Sequence, residues 1–229
     1  MLGLPENDLE KYTREGLYAV DQVLRHKMVL RLVETCRGPL LDCGCGLGDI
    51  TYRLSKQFDK VAGVDISPER VAWAQKEFGQ DLFQVCGENR LDFPDASFGT
   101  VTSIVVANWI ADLDAYIEEI KRVLKPGGKL VMAARAPAYY RFEGRPAKSE
   151  NSQAENEFQP YDIPLKRMAE ILTRHGFKVE CLDSYYPQTY EEKLSFREMA
   201  RDLFLYVPKA RRVHSLARYY GMRAALGGG

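Results

Sequence analysis

Thr100–Val106 reads TVTSIVV, almost wholly β-branched and without a charge. A strand of that composition is buried on both faces, as strands are when helices cover a mostly parallel sheet from either side. The rest of the chain supplies the partners. Apolar runs at Pro39–Gly44, Lys60–Asp65, Leu82–Cys86, Lys129–Ala134 and Phe177–Leu182 read as further strands. Segments of helical period lie between them. Asp49 to about Phe58 is one. Ser67-Pro68 opens a second, with Ser as N-cap and Pro in the first turn, where its missing N–H costs nothing. Asp112 caps a third, whose apolar face is Leu113, Tyr116, Ile117, Ile120 and Leu124 and which Pro126-Gly127-Gly128 stops. Pro164 opens a fourth, with Leu165, Met168 and Leu172 apolar and Gly176 closing it. Ligands of such alternating sheets bind beyond the carboxyl ends of the strands. The residues just after each strand are therefore the informative ones.

Outside this core, Asp8 to about Glu34 carries Leu9, Tyr12, Val20, Leu24, Met28 and Leu32 at helical spacing, as two helices or one broken at Gly16. Residues 137–161 are polar and aperiodic. The chain thus reads as a single domain: a helical cap (1–38), a ligand-binding core (39–135), a lid-like loop (136–162) and a C-terminal part of helix, strands and basic tail (163–229).

Composition excludes some classes of function. Apolar residues at 45% and charged residues at 28% are ordinary for a soluble globular chain. No apolar run approaches the roughly 20 residues that span a membrane. The opening MLGLPENDLEKY lacks the basic-then-apolar pattern of a signal peptide, so a cytoplasmic location is expected. Five cysteines, with C-x-C rather than C-x-x-C at Cys43 and Cys45, read as small buried residues in a reducing compartment, and no metal site is expected. Formal net charge is zero, but Lys193–Gly229 carries eight Lys/Arg against two acids.

The densest signal is Asp42-Cys-Gly44-Cys-Gly46-Leu-Gly48-Asp49. Alternate glycines after a strand let the backbone bend sharply and let a ligand lie against the main chain. The helix start that follows favours an anionic or polar group. The dinucleotide fingerprint is G-x-G-x-x-G. The spacing here is G-x-G-x-G with an acid at the strand end, which points to a nucleoside bearing a short charged tail. Asp65 ends the next strand, where an acid can accept both ribose hydroxyls or, alternatively, cap a helix.

The runs LLDCGCGLGD, VAGVDISPER, FPDASF and RVLKPGGKLVM, in that order over residues 39–135, resemble the class I S-adenosylmethionine-dependent methyltransferases. They are most similar to the small-molecule branch that includes quinone-biosynthesis enzymes. The resemblance implies a Rossmann-like, mostly parallel seven-stranded sheet with helices on both faces and an antiparallel C-terminal strand. It implies S-adenosylmethionine as cofactor and S-adenosylhomocysteine as product. By position, Asp42, Gly44, Cys45, Gly46 and Gly48 would surround the methionine part, with Val105 after the fourth strand. Asp65 would hold the ribose and Ile66 would lie against the adenine. Glu88 would accept from the adenine amino group beside Asn89, in a segment one residue shorter than the usual pattern. Two further departures stand out. Phe98-Gly99 replaces Phe-Asp, and Asn108-Trp109 replaces a pair of histidines that could serve as a base.

Methyl transfer needs alignment and exclusion of water more than a protein nucleophile. Among His26, His175 and His214, His26 is the one catalytic candidate, against a structural or solvated role. Tyr12, Tyr18, Asn108, Trp109, Tyr139 and Tyr140 are candidates for the acceptor pocket, with Tyr161 as a further aromatic. Lys209–Arg223, with five Lys/Arg and no acid, reads either as a binding surface for an anionic acceptor or as a solvated helix face and final strand. The expected partner is a small-molecule substrate. A nucleic acid such as RNA, reached through the basic tail, is the alternative, and a catalytically silent cofactor-binding module is a third reading.

Overall fold

The computed structural model describes residues 16–87, 90–136, 161, 163–185 and 219–227, and of residues 16–24, 184 and 185 the main chain alone. Helix α1 (Gly16–Val33) precedes β1 (Leu40–Cys43), α2 (Asp49–Leu54), β2 (Val61–Asp65), α3 (Pro68–Phe78) and β3 (Phe83–Val85). Then come β4 (Phe98–Ile104), α4 (Leu113–Val123), β5 (Leu124–Arg135), α5 (Leu165–Arg174), β6 (Phe177–Tyr185) and β7 (Tyr219–Leu226). The seven strands form one sheet in the order β3-β2-β1-β4-β5-β7-β6. All neighbours run parallel except β7, which is antiparallel to both β5 and β6. The order reverses between β1 and β4, which places a crevice at their carboxyl ends.

Successive residues of the central strands point to opposite faces. Leu41, Leu130 and Tyr220 pack with Ile117 and Ile120 of α4 and Met168 and Leu172 of α5. Leu40, Val131 and Tyr219 pack on the other side with Met28 and Leu32 of α1 and Leu54 of α2. The charge-free strand is thus covered on both faces, as its composition requires. Two of the expected helix starts and one helix end have a visible cause. The Ser67 hydroxyl accepts from the Arg70 N–H at 3.3 Å, with Pro68 in the first turn. The Asp112 carboxylate accepts from the Ala115 N–H at 3.0 Å. Gly176, at φ +85°, closes α5.

Element ends differ from the sequence reading. Helix α2 stops at Leu54 rather than Phe58; the following N–H groups bond back as tight turns, Gln57 to Leu54 O and Lys56 to Arg53 O. Leu124 is not on the α4 face but opens β5, opposite Phe98. The Pro126-Gly127-Gly128 segment lies inside the span of β5, as an irregularity before Thr100 meets Lys129. Strand β3 is shorter than Leu82–Cys86, because Leu82 ends a 3-10 turn. Strand β4 ends at Ile104 because Val105 leaves extended geometry. Gly99, where the resembling family carries an acid, has its reason in packing: a Cβ there would lie 2.4 Å from the Arg37 carbonyl oxygen.

Residues 137–160 and 162 of the lid-like stretch, with Tyr139 and Tyr140 among them, and Tyr12, Glu88, Asn89, His214 and the basic tail up to Arg218 lie outside the described residues. Arg223 does not serve a free basic surface. It lies in β7, where it meets Glu180 at 3.2 Å and donates to the Leu32 carbonyl at 3.1 Å. Among the described residues no helix is long and apolar enough to cross a membrane.

Candidate active site

The glycine loop leaves β1 and leans over β2. The N–H groups of Gly44 and Cys45 both donate to the Val64 carbonyl, at 2.7 and 2.8 Å. Gly44 sits at φ +75°, and a Cβ on it would lie 2.2 Å from Val106 Cγ2. Only glycine passes the turn after β4 this closely. Two residues on, the Gly46 N–H donates to Asp65 Oδ2 at 2.9 Å. The other oxygen, Oδ1, accepts from the Ser67 N–H at 3.0 Å. One buried carboxylate therefore closes the loop onto the end of β2 and starts the turn into α3. Each of its oxygens keeps a further lone pair for a ligand.

The space beside it is open. A Cβ on Gly46 would meet nothing within 4 Å. Ile66, next to Asp65, is 61% exposed. Bare backbone, a buried acceptor pair and an exposed aliphatic side chain suit a ribose hydroxyl pair and an aromatic base. These residues fit a bound nucleoside cofactor.

Under the loop, Asp42 is fully enclosed. Its two oxygens accept from the hydroxyls of Thr51, at 2.6 Å, and Thr102, at 2.7 Å. Burial pushes the carboxyl up to about 6, against the pull of the two hydroxyls. Asp42 supports the loop from β1, tying α2 to β4, rather than facing the open space. Sequence reasoning missed both threonines. The signal was available in the register, because Thr102 stands opposite Asp42 across the β1–β4 ladder. The Cys43 and Cys45 thiols are buried, which raises both and keeps them protonated. No group of three or more metal-ligating side chains occurs among the described residues.

Val105 follows β4 at φ +62°, where a β-branched residue is strained. This turn sends Val106 against Gly44 and leads into the Ala107–Trp109 3-10 turn. There Asn108 is wholly buried. Its amide donates to the carbonyls of Tyr161, at 3.0 Å, and Arg135, at 3.3 Å, and its oxygen accepts from the Arg135 N–H at 2.9 Å. Asn108 is therefore a clamp between β5 and residue 161, with both amide hydrogens spent and no donor left for a pocket. Trp109, by contrast, is 49% exposed beyond the carboxyl end of β4. The main chain of Tyr18 lies in α1.

His26 of α1 is buried, and its Nε2 lies 2.6 Å from Asp49 Oδ2. Burial raises the Asp49 carboxyl, but His26 and Arg25 outweigh it and hold it below the usual range. The structure thus gathers Asp42, Gly44, Cys45, Gly46, Gly48, Asp65, Ile66 and Val105 at the carboxyl ends of β1, β2 and β4. A concavity of about 410 Å³ lies at the opposite end of the sheet, lined by Gly38, Pro39 and Lys60 among others.

Residues 41–132 match a methyltransferase domain family. This segment is a class I, S-adenosylmethionine-dependent methyltransferase domain. It holds the glycine loop, Asp65 and the β4 turn, and the cofactor of that family is S-adenosylmethionine. The chain is 26% identical to a malonyl-[acyl-carrier protein] O-methyltransferase of Hahella chejuensis, over 70% of this chain and 58% of that one. It is 34% identical to the ubiquinone/menaquinone biosynthesis C-methyltransferase UbiE of Desulfotalea psychrophila, over 51% and 49%. The chain therefore spans between about half and three fifths of those two relatives. In fold it is similar to the protein found in complex with the Trm112 methyltransferase activator of Haloferax volcanii. That likeness covers 96% of this chain and 97% of that one, at 19% identity and a TM-score of 0.68.

Proposed function

We propose that this chain transfers a methyl group from S-adenosylmethionine to a small-molecule acceptor by direct in-line displacement. The observation that carries the reading is the Gly46–Asp65 contact: a buried carboxylate closes the glycine loop, and each of its oxygens keeps a further lone pair. When bound, the donor supplies a methyl on a sulfonium whose leaving group is a neutral thioether, so no protein nucleophile is required. The chain's own residues bind, align and exclude water. Asp65 would accept the ribose hydroxyls, Ile66 would lie against the adenine, Glu88 and Asn89 would meet its edge, and the Gly44–Gly48 backbone would take the methionine part. Val105 would stand beside the loop at the turn after β4, where Val106 packs against Gly44.

The ubiquinone/menaquinone biosynthesis C-methyltransferase among the relatives supports a small acceptor, while the other relative is an O-methyltransferase of a malonyl group on an acyl-carrier protein. Trp109 would give that acceptor an aromatic face, and Tyr12, Tyr18, Tyr139 and Tyr140 are the further aromatic candidates that the sequence offers. The test is incubation with methyl-labelled S-adenosylmethionine and a panel of carboxylate, phenol and quinol acceptors. Label transfer with release of S-adenosylhomocysteine is expected. Transfer to RNA alone would replace the small-molecule acceptor, and donor binding without any transfer would leave a silent module.

A further inference from the structure

We propose that His26 is a positioning residue for the donor loop: it anchors α1 to Asp49 and so sets the affinity for S-adenosylmethionine, and it does not move a proton at the acceptor. The inference rests on the donor reading above. His26 sits in the half of α1 that buries Met28, Val29, Leu32 and Val33 against the sheet, so its backbone is firmly placed. Its Nε2 faces Asp49 Oδ2 at 2.6 Å. Both atoms are buried, and no hydrogen bond from elsewhere among the described residues reaches either. A general base needs a nitrogen directed at the acceptor; Nε2, at the tip of this side chain, is directed at a carboxylate instead.

Asp49 directly follows Gly48, so this contact holds the far end of the loop. The near end is held by the Gly46 N–H on Asp65. Between the two anchors lie Leu47 and Gly48, whose N–H donates to the Cys45 carbonyl at 3.0 Å, and the space beside the Gly46 backbone is open. Two fixed ends keep the loop in the form the donor meets. With one end released, ordering the loop becomes part of binding, and affinity falls. Because the anchor acts on the loop and touches no transferring atom, donor and product lose affinity alike.

The experiment titrates S-adenosylmethionine and S-adenosylhomocysteine calorimetrically into the wild-type chain and into His26→Ala, His26→Gln and Asp49→Asn. The expected result is binding roughly tenfold weaker in His26→Ala for both ligands by the same factor. Asp49→Asn should lose a similar factor. His26→Gln, whose amide can still donate to Asp49, should recover most of it. Ile120→Val, which thins the core on the opposite face, should leave both affinities unchanged, so that lost stability alone is excluded as the cause. Wild-type binding with His26→Ala within about twofold of it would overturn the anchor alone. Weaker donor but unchanged product binding would also overturn it, placing His26 at the methyl. No binding by the wild-type chain would overturn the donor reading and the anchor with it.

Discussion

Asp42 is buried between two hydroxyls, and its folded pKa of about 6 lies above the ordinary 3.8. Between those values the native state keeps a proton that the unfolded chain has released. Stability therefore falls as pH rises from about 4 to about 6 and stays reduced above. Asp42→Asn escapes that loss. Between pH 4 and pH 8 the stability difference should move in the variant's favour by roughly 2–3 kcal/mol, read by urea unfolding; a pH-independent difference contradicts this. Val105 makes a second residue-scale prediction. Alanine is ordinarily about 1 kcal/mol better than glycine in regular structure. At φ +62° the order should reverse, with Val105→Gly more stable than Val105→Ala by about 1 kcal/mol in chemical denaturation. Alanine ahead of glycine would mean that this backbone is not strained.

Helices α4 and α5 are joined by His175, whose ring nitrogens meet Glu118 at 2.6 Å and Asp114 at 2.5 Å. Burial lowers the imidazole pKa, but the two carboxylates outweigh it and hold it above its ordinary 6.5. His175 in turn, with Arg174 and Lys121, holds the two acids below their ordinary values against burial. The histidine contribution is complete below about pH 6.5 and fades as pH rises through its folded value; the carboxylate contribution is complete above about pH 5 and fades in acid. His175→Gln should therefore lower the melting temperature most between about pH 5 and 6.5, and least above pH 8. The acids are half-exposed, so the effect is about 1 kcal/mol, or 2–4 °C. A loss that grows with pH would contradict the pairing. Elements like these were legible in the sequence where one local rule dominates. A charge-free run names a strand covered twice, and Ser67-Pro68 or Asp112 names a helix start. The ends that misled were decided by partners instead. Leu124 has the period of a helix face, yet its backbone pairs with Phe98.

At the scale of the whole molecule, the features of the candidate donor half that the structure brings together were legible because they are local: a loop, an acid and a strand end, each read off consecutive residues. The acceptor half was not. Asn108 looked like a pocket residue because it follows β4, but its amide is held by the backbones of Arg135 and Tyr161, positions 27 and 53 residues away. The pairing of His26 with Asp49 likewise joins a helix to a loop that no sequence period connects. What unites the molecule is the crevice where strand order reverses, with the glycine loop on one side and the strained β4 turn on the other. Ligand binding there should stabilise the whole fold. At about 100 times Kd the gain is about 2.7 kcal/mol, or roughly 5–10 °C in melting temperature. The most direct measurement is therefore titration of S-adenosylmethionine into the wild-type chain and into Asp65→Ala, with melting read alongside. Saturable binding that raises the melting temperature of the wild type, and is weakened at least roughly tenfold in Asp65→Ala, is the result expected. Absence of wild-type binding at millimolar donor, or equal affinity in the two chains, would contradict it.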